Sequence, residues 1–385
     1  MVTLVSAFLI GCSAPAPTVP AASTSLTTES PSPPAASPAP SAAVASVRSG
    51  PIQLLTPNVG WVSTIAGLEK TADAGATWRI VNATETFAKL RFVDEQHGWA
   101  ALIAAPSGHG AHASCADIPQ TCFVIATTSD GGTTWVDRYA SQGDQSGPPV
   151  SLQAIDASIA WAIVPNGRCD QGGCVSELRK TTDGGATWTT QRTGRLGVLR
   201  MASSARGWLS VSAIGNSSDV YTTTDGGTNW IHVLASTTGI EAIDAASPSE
   251  VWVLSRDGGY CTSSNCSKYE LSSSVSGGAS WTTFGNPKQQ ACSGGHLAGP
   301  LFASPTRGWF GLTLGAGGIS GTGGIMRTED HGKTWTCMTT PSNVGELSAA
   351  DPDNVWARSD RHGDRLTTSL LFASTDAGTT WRQIR

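Results

Sequence analysis

The feature that most constrains this chain is an octet, "TTDGGATW" at Thr181 to Trp188, which recurs in near copies seven times along the 385 residues. Every copy carries Gly three positions before its Trp and Ser or Thr seven positions before it. The copies end at Trp78, Trp135, Trp188, Trp230, Trp281, Trp335 and Trp381. Because a repeat of roughly 40 to 50 residues is typical of propellers and solenoids, the chain is expected to be one of these two architectures.

The residue types of the octet predict a hairpin corner. Six copies carry Asp five positions before the Trp, and the fifth copy carries Ser there: Asp73, Asp130, Asp183, Asp225, Ser276, Asp330 and Asp376. A short carboxylate accepts hydrogen bonds from nearby backbone N–H groups, Gly supplies a positive φ, and the indole anchors the strand that leaves the turn. We therefore interpret the octet as scaffold.

A second set of tryptophans completes the repeat. Seven of the 14 Trp each precede one octet: Trp61, Trp99, Trp161, Trp208, Trp252, Trp309 and Trp356. Each follows a small polar turn residue and a short apolar stretch such as "LRFV", so every unit reads as a four-stranded meander. Seven such sheets around an axis predict an all-β, seven-bladed β-propeller over residues 50–385. A solenoid would need atypical capping repeats at both ends, and none is evident.

The octet resembles the Asp-box, or BNR, repeat (S/T-x-D-x-G-x-T-W) of sialidases, sortilin-type receptors and many bacterial propellers. The rhythm of "FVDEQHGWA" followed by "TTSDGGTTW" is similar to photosystem II stability/assembly-factor-like propellers, and this resemblance covers roughly residues 50 to 385. It implies that the box lies at the turn between the third and fourth strands of a blade, away from the functional face. Its motifs specify the repeat and leave the ligand open.

The beginning of the sequence predicts export and a lipid anchor. Residues 1–12, "MVTLVSAFLIGC", are too short to span a bilayer and have the length of a signal peptide. The ending "LIGC" resembles a bacterial lipobox, which implies lipidation of Cys12 and tethering at the outer face of the cytoplasmic membrane, or a periplasmic or cell-surface location. Residues 13–49 are rich in Ala, Pro, Ser and Thr and predict a disordered tether.

The remaining cysteines predict disulfides. Eight cysteines are left after Cys12, and an even number in an exported chain is typical of disulfide pairs. In chain order they form the pairs Cys115 and Cys122, Cys169 and Cys174, Cys261 and Cys266, and Cys292 and Cys337. Zinc sites use different spacings. His109, His112 and Asp117 on the loop of the second unit are three potential metal ligands, but we favour the interpretation of a solvated loop pinned by a disulfide. We expect no metal or cofactor.

Loop lengths indicate where function lies. In an antiparallel meander the first and third turns share one rim, and the uniform octet occupies that rim. The segments between the two tryptophans of a unit vary in length and place their loops on the opposite rim, the variable rim. Because binding groups are usually carried on variable loops over a rigid scaffold, we assign function to the variable rim.

Polar residues near the start of the innermost strands predict a partly polar central channel. Eight positions before the first Trp of each unit lie Gln53, Arg91, Gln153, Arg200, Asp244, Leu301 and Ser348. Among them Arg91, Gln153, Arg200 and Asp244 are candidates for binding a polar ligand. The alternative is a water-lined channel.

Three functions fit this architecture. The first is a non-enzymatic propeller that binds an extracytoplasmic protein or complex through its variable rim, touching the membrane only by its lipid anchor. The second is a glycoside hydrolase with carboxylates such as Glu241, Asp244 and Glu346, although the arginines and the tyrosine of sialidases are not matched. The third is a glycan-binding module. A formal net charge of -5 with 14% charged residues excludes a basic nucleic-acid footprint.

Overall fold

A computed structural model describes residues 50–104, 112–115, 122–142, 151–170, 173–213, 217–257, 268–289, 296–313, 324–338, 341–362 and 367–385. All of them belong to one compact unit, Val44–Arg385. The predicted signal peptide, Cys12 and tether lie outside the described residues. No helix in the described part of the chain is long and apolar enough to cross a membrane.

The described residues form seven four-stranded antiparallel sheets, each built from four consecutive strands. In blade order the strands are β1 Ile52–Leu54, β2 Gly60–Thr64, β3 Gly67–Thr71, β4 Arg79–Asn82; β5 Phe87–Phe92, β6 Gly98–Ala104, β7 Cys122–Thr128, β8 Val136–Gln142; β9 Ser151–Ala154, β10 Ala160–Asp170, β11 Gly173–Thr181, β12 Thr189–Gly194; β13 Leu196–Met201, β14 Gly207–Ser212, β15 Ser218–Thr223, β16 Ile231–Ser236; β17 Gly239–Ala245, β18 Val251–Arg256, β19 Tyr269–Ser274, β20 Thr282–Gly285; β21 His296–Phe302, β22 Gly308–Thr313, β23 Ile325–Thr328, β24 Thr336–Met338; β25 Val344–Ala349, β26 Val355–His362, β27 Thr367–Ser374 and β28 Arg382–Gln383. Two short 3₁₀ turns lie at Ala113–Cys115 and Pro287–Gln289. The predicted all-β, seven-bladed propeller is confirmed.

The blades form a closed ring. The innermost strands β1, β5, β9, β13, β17, β21 and β25 contact one another in this order, and β25 contacts β1. Within the described residues each sheet holds only consecutive strands. Side-chain bonds and packing join blade seven to blade one across this last seam, which we call the closing seam.

The first tryptophan of each unit fills the seam to the next blade. All seven of these side chains are at most 1% exposed. The Trp61 ring stacks on Phe92 of blade two at 3.7 Å, and its Nε1 donates to Gly131 O in the same blade. Trp161, Trp208, Trp252 and Trp309 make the equivalent bond to a box carbonyl of their following blade. The repeat thus supplies both the core of the seam and a hydrogen bond across it.

The octet forms a tight polar corner. Thr187 donates to Asp183 from its backbone N and from its hydroxyl, and Thr181 donates from its hydroxyl to the same carboxylate. The Thr187 bonds, aided by Thr181, lower the pKa of Asp183 to about 2. In the fifth corner the Ser276 hydroxyl accepts from the Ser280 N–H at 2.9 Å, so that a neutral oxygen takes the place of the carboxylate.

Each corner is bound to the first turn of its own blade. In blade one the Ala74 N–H donates to Asn58 O, and in blade two Gly131 N–H donates to Gln96 O. The other five blades repeat this bond, with donors at Gly184, Gly226, Gly277, His331 and Ala377. The first and third turns therefore share one rim, and the connections between the second and third strands leave from the variable rim.

Candidate functional site

The innermost strands carry side chains that join neighbouring blades. The Gln53 side chain donates to Phe92 O at 2.8 Å and accepts from Phe92 N–H at 2.6 Å. Ser348 accepts from the Leu54 N–H across the closing seam. These two polar groups, at equivalent positions on the innermost strands of blades one and seven, bond neighbouring blades.

Two of the candidate binding residues, Arg200 and Asp244, form such bonds between blades. Arg200 Nε lies 3.0 Å from Asp244 Oδ1, and Arg200 also donates to Ala245 O of the next blade. The second Asp244 oxygen accepts from the Phe302 N–H at 2.6 Å. Burial raises the pKa of the Asp244 carboxyl, while Arg200 and the Phe302 N–H oppose that effect. The pair therefore links blades four, five and six. Gln153 is half-buried and makes no side-chain hydrogen bond to a described residue.

Arg91 differs from these residues because its guanidinium has no hydrogen bond or ion pair with a described residue. Its side chain is exposed to solvent. Desolvation lowers the pKa of Arg91 to about 10, with the positive charge of Arg200 as a second cause and Asp244 as the opposing charge. The group is still charged at neutral pH.

A second free cation lies two residues earlier on the same strand. Lys89 is exposed and has no hydrogen bond or ion pair within the described chain. Residues at i and i+2 of a strand share a face, and no register shift separates Lys89 from Arg91. The positive charge of Lys89 also opposes the rise that burial causes in the pKa of Glu346 in blade seven. Together Lys89 and Arg91 form an unpaired positive pair, the blade-two cation pair.

The other inner-strand carboxylates form ion pairs with arginines. Glu241 Oε1 lies 2.5 Å from Arg256 Nε, and Glu346 forms an ion pair with Arg358. Glu346 also accepts from the Ile52 N–H across the closing seam. Within the described residues each carboxylate proposed for glycoside hydrolysis is therefore ion-paired with an arginine and lies in a contact between strands or blades.

The longest connection on the variable rim, between β6 and β7, carries a disulfide. Cys115 and Cys122 are bonded and fully buried against the core between blades one and two. The Cα atoms of Cys169 and Cys174 are direct partners across β10 and β11. Cys337 is disulfide-bonded, whereas Cys261, Cys266 and Cys292 lie outside the described residues.

One histidine of the same connection is largely buried, whereas the sequence predicted a solvated loop. The His112 side chain is only 8% exposed, because Glu85 and Asp137 lie against its two ring nitrogens. His109 and Asp117 lie outside the described residues. No group of three metal-binding side chains occurs in the described part of the chain.

Seven similar corners, six of them built around an Asp, one fully buried tryptophan per repeat and a closed ring of blades define this chain as a seven-bladed β-propeller with repeats that resemble the Asp-box. It is similar to the photosystem II assembly lipoprotein Ycf48 of Picosynechococcus sp., with 26% identity over 302 residues, which is 66% of this chain and 75% of that protein. No family model matches the chain.

Two solved structures are similar to this chain over most of its length. A structure described as YCF48 bound to D1 peptide has a TM-score of 0.49 and 18% identity, covering 89% of this chain and 86% of that chain. A polysaccharide lyase of family PL25, an ulvan lyase, has a TM-score of 0.49 and 11% identity, covering 88% and 94% of the two chains.

Sequence reasoning missed three residues of these sites. Lys89 could have been found from its spacing to Arg91 on a predicted strand. Glu85 and Asp137 carry no local signal, because they meet His112 only when the blade link, the loop and the outer strand β8 fold together.

Proposed function

We propose that this chain is an exported, lipid-anchored and non-enzymatic propeller that binds an extracytoplasmic protein and assists assembly of a complex. The observation that carries this proposal is the similarity to an assembly lipoprotein across 66% of the chain. The lipobox-like "LIGC" and the tether composition of residues 13–49 support the membrane anchor. A rigid ring with loops of variable length on one rim supplies the surface that such a role requires.

The blade-two cation pair gives the partner a chemical character. Lys89 and Arg91 carry two positive charges that form no direct ion pair with a described residue, while Arg200 and Arg358 are ion-paired with acids. A carboxylate or an acidic stretch of a partner protein would complete the missing ion pairs. We therefore infer that an acidic protein segment enters the channel beside blade two, and that the loops of the variable rim add contacts around it.

The test is crosslinking of the full lipidated chain in its own membranes, followed by mass spectrometry of the co-purified proteins. We expect a stoichiometric protein partner whose capture falls at least tenfold in the variant Lys89→Ala/Arg91→Ala. Capture should also weaken as salt is raised, because the contact is electrostatic. The matched control is Arg79→Ala, which removes an exposed cation from the outer strand β4.

The outcomes separate the alternatives. Equal capture by the cation-pair variant and the control would overturn the channel site while leaving a rim interaction to be mapped by loop trimming. Absence of any stoichiometric partner, together with binding or cleavage of a glycan on an array, would replace the assembly role with a carbohydrate function.

A further inference from the structure

His112 lies between two carboxylates, one at each ring nitrogen. Nδ1 is 2.7 Å from Asp137 Oδ1, and Nε2 is 2.9 Å from Glu85 Oε2. A neutral imidazole has one N–H donor and one lone pair, so it can satisfy only one of these contacts. The other nitrogen would then present a lone pair to an ionised oxygen. The geometry therefore requires an imidazolium that donates to both carboxylates.

The three residues belong to three separate segments. Glu85 lies in the link from blade one to blade two, Asp137 lies on the outer strand β8, and His112 directly precedes the 3₁₀ turn Ala113–Cys115 in the described residues 112–115 of the β6–β7 connection. Ser114 strengthens the same attachment, because its hydroxyl donates to Asp137 Oδ2 at 2.5 Å. His112 thus holds segment 112–115 against both neighbours.

The charged groups that face His112 are Glu85 and Asp137, whose side chains are 15% and 27% exposed. The Cys115–Cys122 disulfide, which joins this segment to the start of β7, does not titrate. Burial lowers the pKa of His112, but the hydrogen bonds and negative charges of Glu85 and Asp137 outweigh burial and raise the pKa above its ordinary value.

We propose that His112 is a proton-operated clasp: the imidazolium fastens segment 112–115 to Glu85 and Asp137, and loss of the proton releases the segment. Because this segment belongs to the longest connection of the variable rim, the clasp regulates the surface offered to a partner, and this consequence rests on the function proposed above. The direction of the pH dependence follows from the raised pKa of His112. The fastening is complete below about pH 6.5, the ordinary histidine value, and is lost as pH rises through the higher folded-state pKa.

The test uses the full chain and two readouts that need no partner. Histidine ring signals, followed by NMR from pH 5 to 9 and assigned with His112→Gln, should give a His112 pKa above the ordinary value. The Cys115 amide, which donates to His112 O at 2.9 Å, reports fastening by hydrogen exchange. Its protection in the native chain relative to His112→Gln at the same pH should be at least tenfold at pH 6 and approach one at pH 9.

The matched control is His97→Gln, since the His97 ring hydrogen-bonds to one carboxylate, that of Asp94, among the described residues and has a 43% exposed side chain. It should leave Cys115 protection unchanged. A His112 pKa at or below the ordinary value overturns the clasp, and so does a Cys115 protection ratio that does not vary with pH. If His112→Gln does not fold, Glu85→Gln serves instead and should lower the His112 pKa and move the loss of protection to lower pH.

Capture of the crosslinked partner at pH 6 and pH 8.5 then tests the regulatory consequence. A change in capture that disappears in His112→Gln supports it, and equal capture at both pH values overturns regulation. Failure to find any partner affects the proposed function alone, because the NMR and exchange readouts test the clasp independently.

Discussion

Removal of the Arg385 side chain should weaken the seam that closes the ring. Arg385 Nη2 lies 2.7 Å and 2.9 Å from the two oxygens of Glu69 in blade one. The Glu69 side chain is only 2% exposed, and its remaining described hydrogen bond comes from the Thr64 hydroxyl. The variant Arg385→Ala therefore leaves a buried carboxylate without its counter-charge.

The expected cost follows from this burial. Breaking a buried ion pair by removing one partner costs about 3–5 kcal/mol, because the other charge stays buried and uncompensated. Other bonds around Arg385 remain: Trp78 Nε1 donates to Ile384 O across the same seam, and the Arg385 N–H donates to Leu371 O within blade seven. We therefore expect Arg385→Ala to lower the free energy of unfolding by about 3 kcal/mol, the lower end of that range.

Urea unfolding followed by tryptophan fluorescence measures this loss. Arg382→Ala is the matched control, since it removes an exposed arginine whose single bond, to Ala74 O, crosses the same seam, and it should cost at most about 1 kcal/mol. Adding Glu69→Gln to Arg385→Ala removes the stranded charge and should recover part of the stability. A loss below about 1 kcal/mol for Arg385→Ala would refute the reasoning, as would a double variant less stable than Arg385→Ala.

Two further predictions concern the repeat itself. Trp61→Ala removes a fully buried ring stacked on Phe92 and should cost about 3–5 kcal/mol in urea unfolding; an effect no larger than that of Ile80→Ala, at a 51% exposed site, would contradict the role of the seam. The pKa of Asp183 is lowered to about 2, so its ionised form stabilises the fold above the ordinary Asp value of about 3.9, and this contribution is lost as pH falls towards 2. The urea midpoints of the native chain and Asp183→Asn should therefore differ at pH 6 and converge near pH 2, and an equal difference at both pH values would contradict the assignment.

The local chemistry of the corner was readable from the sequence because its donors and acceptors lie within a few residues of one another. Asp183 binds Thr187 four positions later, and the same spacing recurs at Asp73 and Thr77. The replacement of Asp by Ser276 in the fifth copy was also visible in the sequence. The blade count followed from the number of repeats, since one meander buries its face only against the next.

The candidate site was only partly readable. Arg91 and Arg200 occupy equivalent positions in the repeat, yet one is unpaired and the other is bound to Asp244. Periodicity places both residues on an inner strand, but it does not reveal the side chain that reaches them from the neighbouring blade.

The sequence by itself determined the seven blades, the strand order within each blade and the separation of a uniform rim from a variable one, because these properties arise from contacts between residues near in the chain. Tertiary structure alone decided the contacts between distant residues. Glu69 meets Arg385 across 316 positions, and His112 meets Glu85 and Asp137 from three segments. Ring closure brings the first pair together, and the folding of one loop onto its blade assembles the second group.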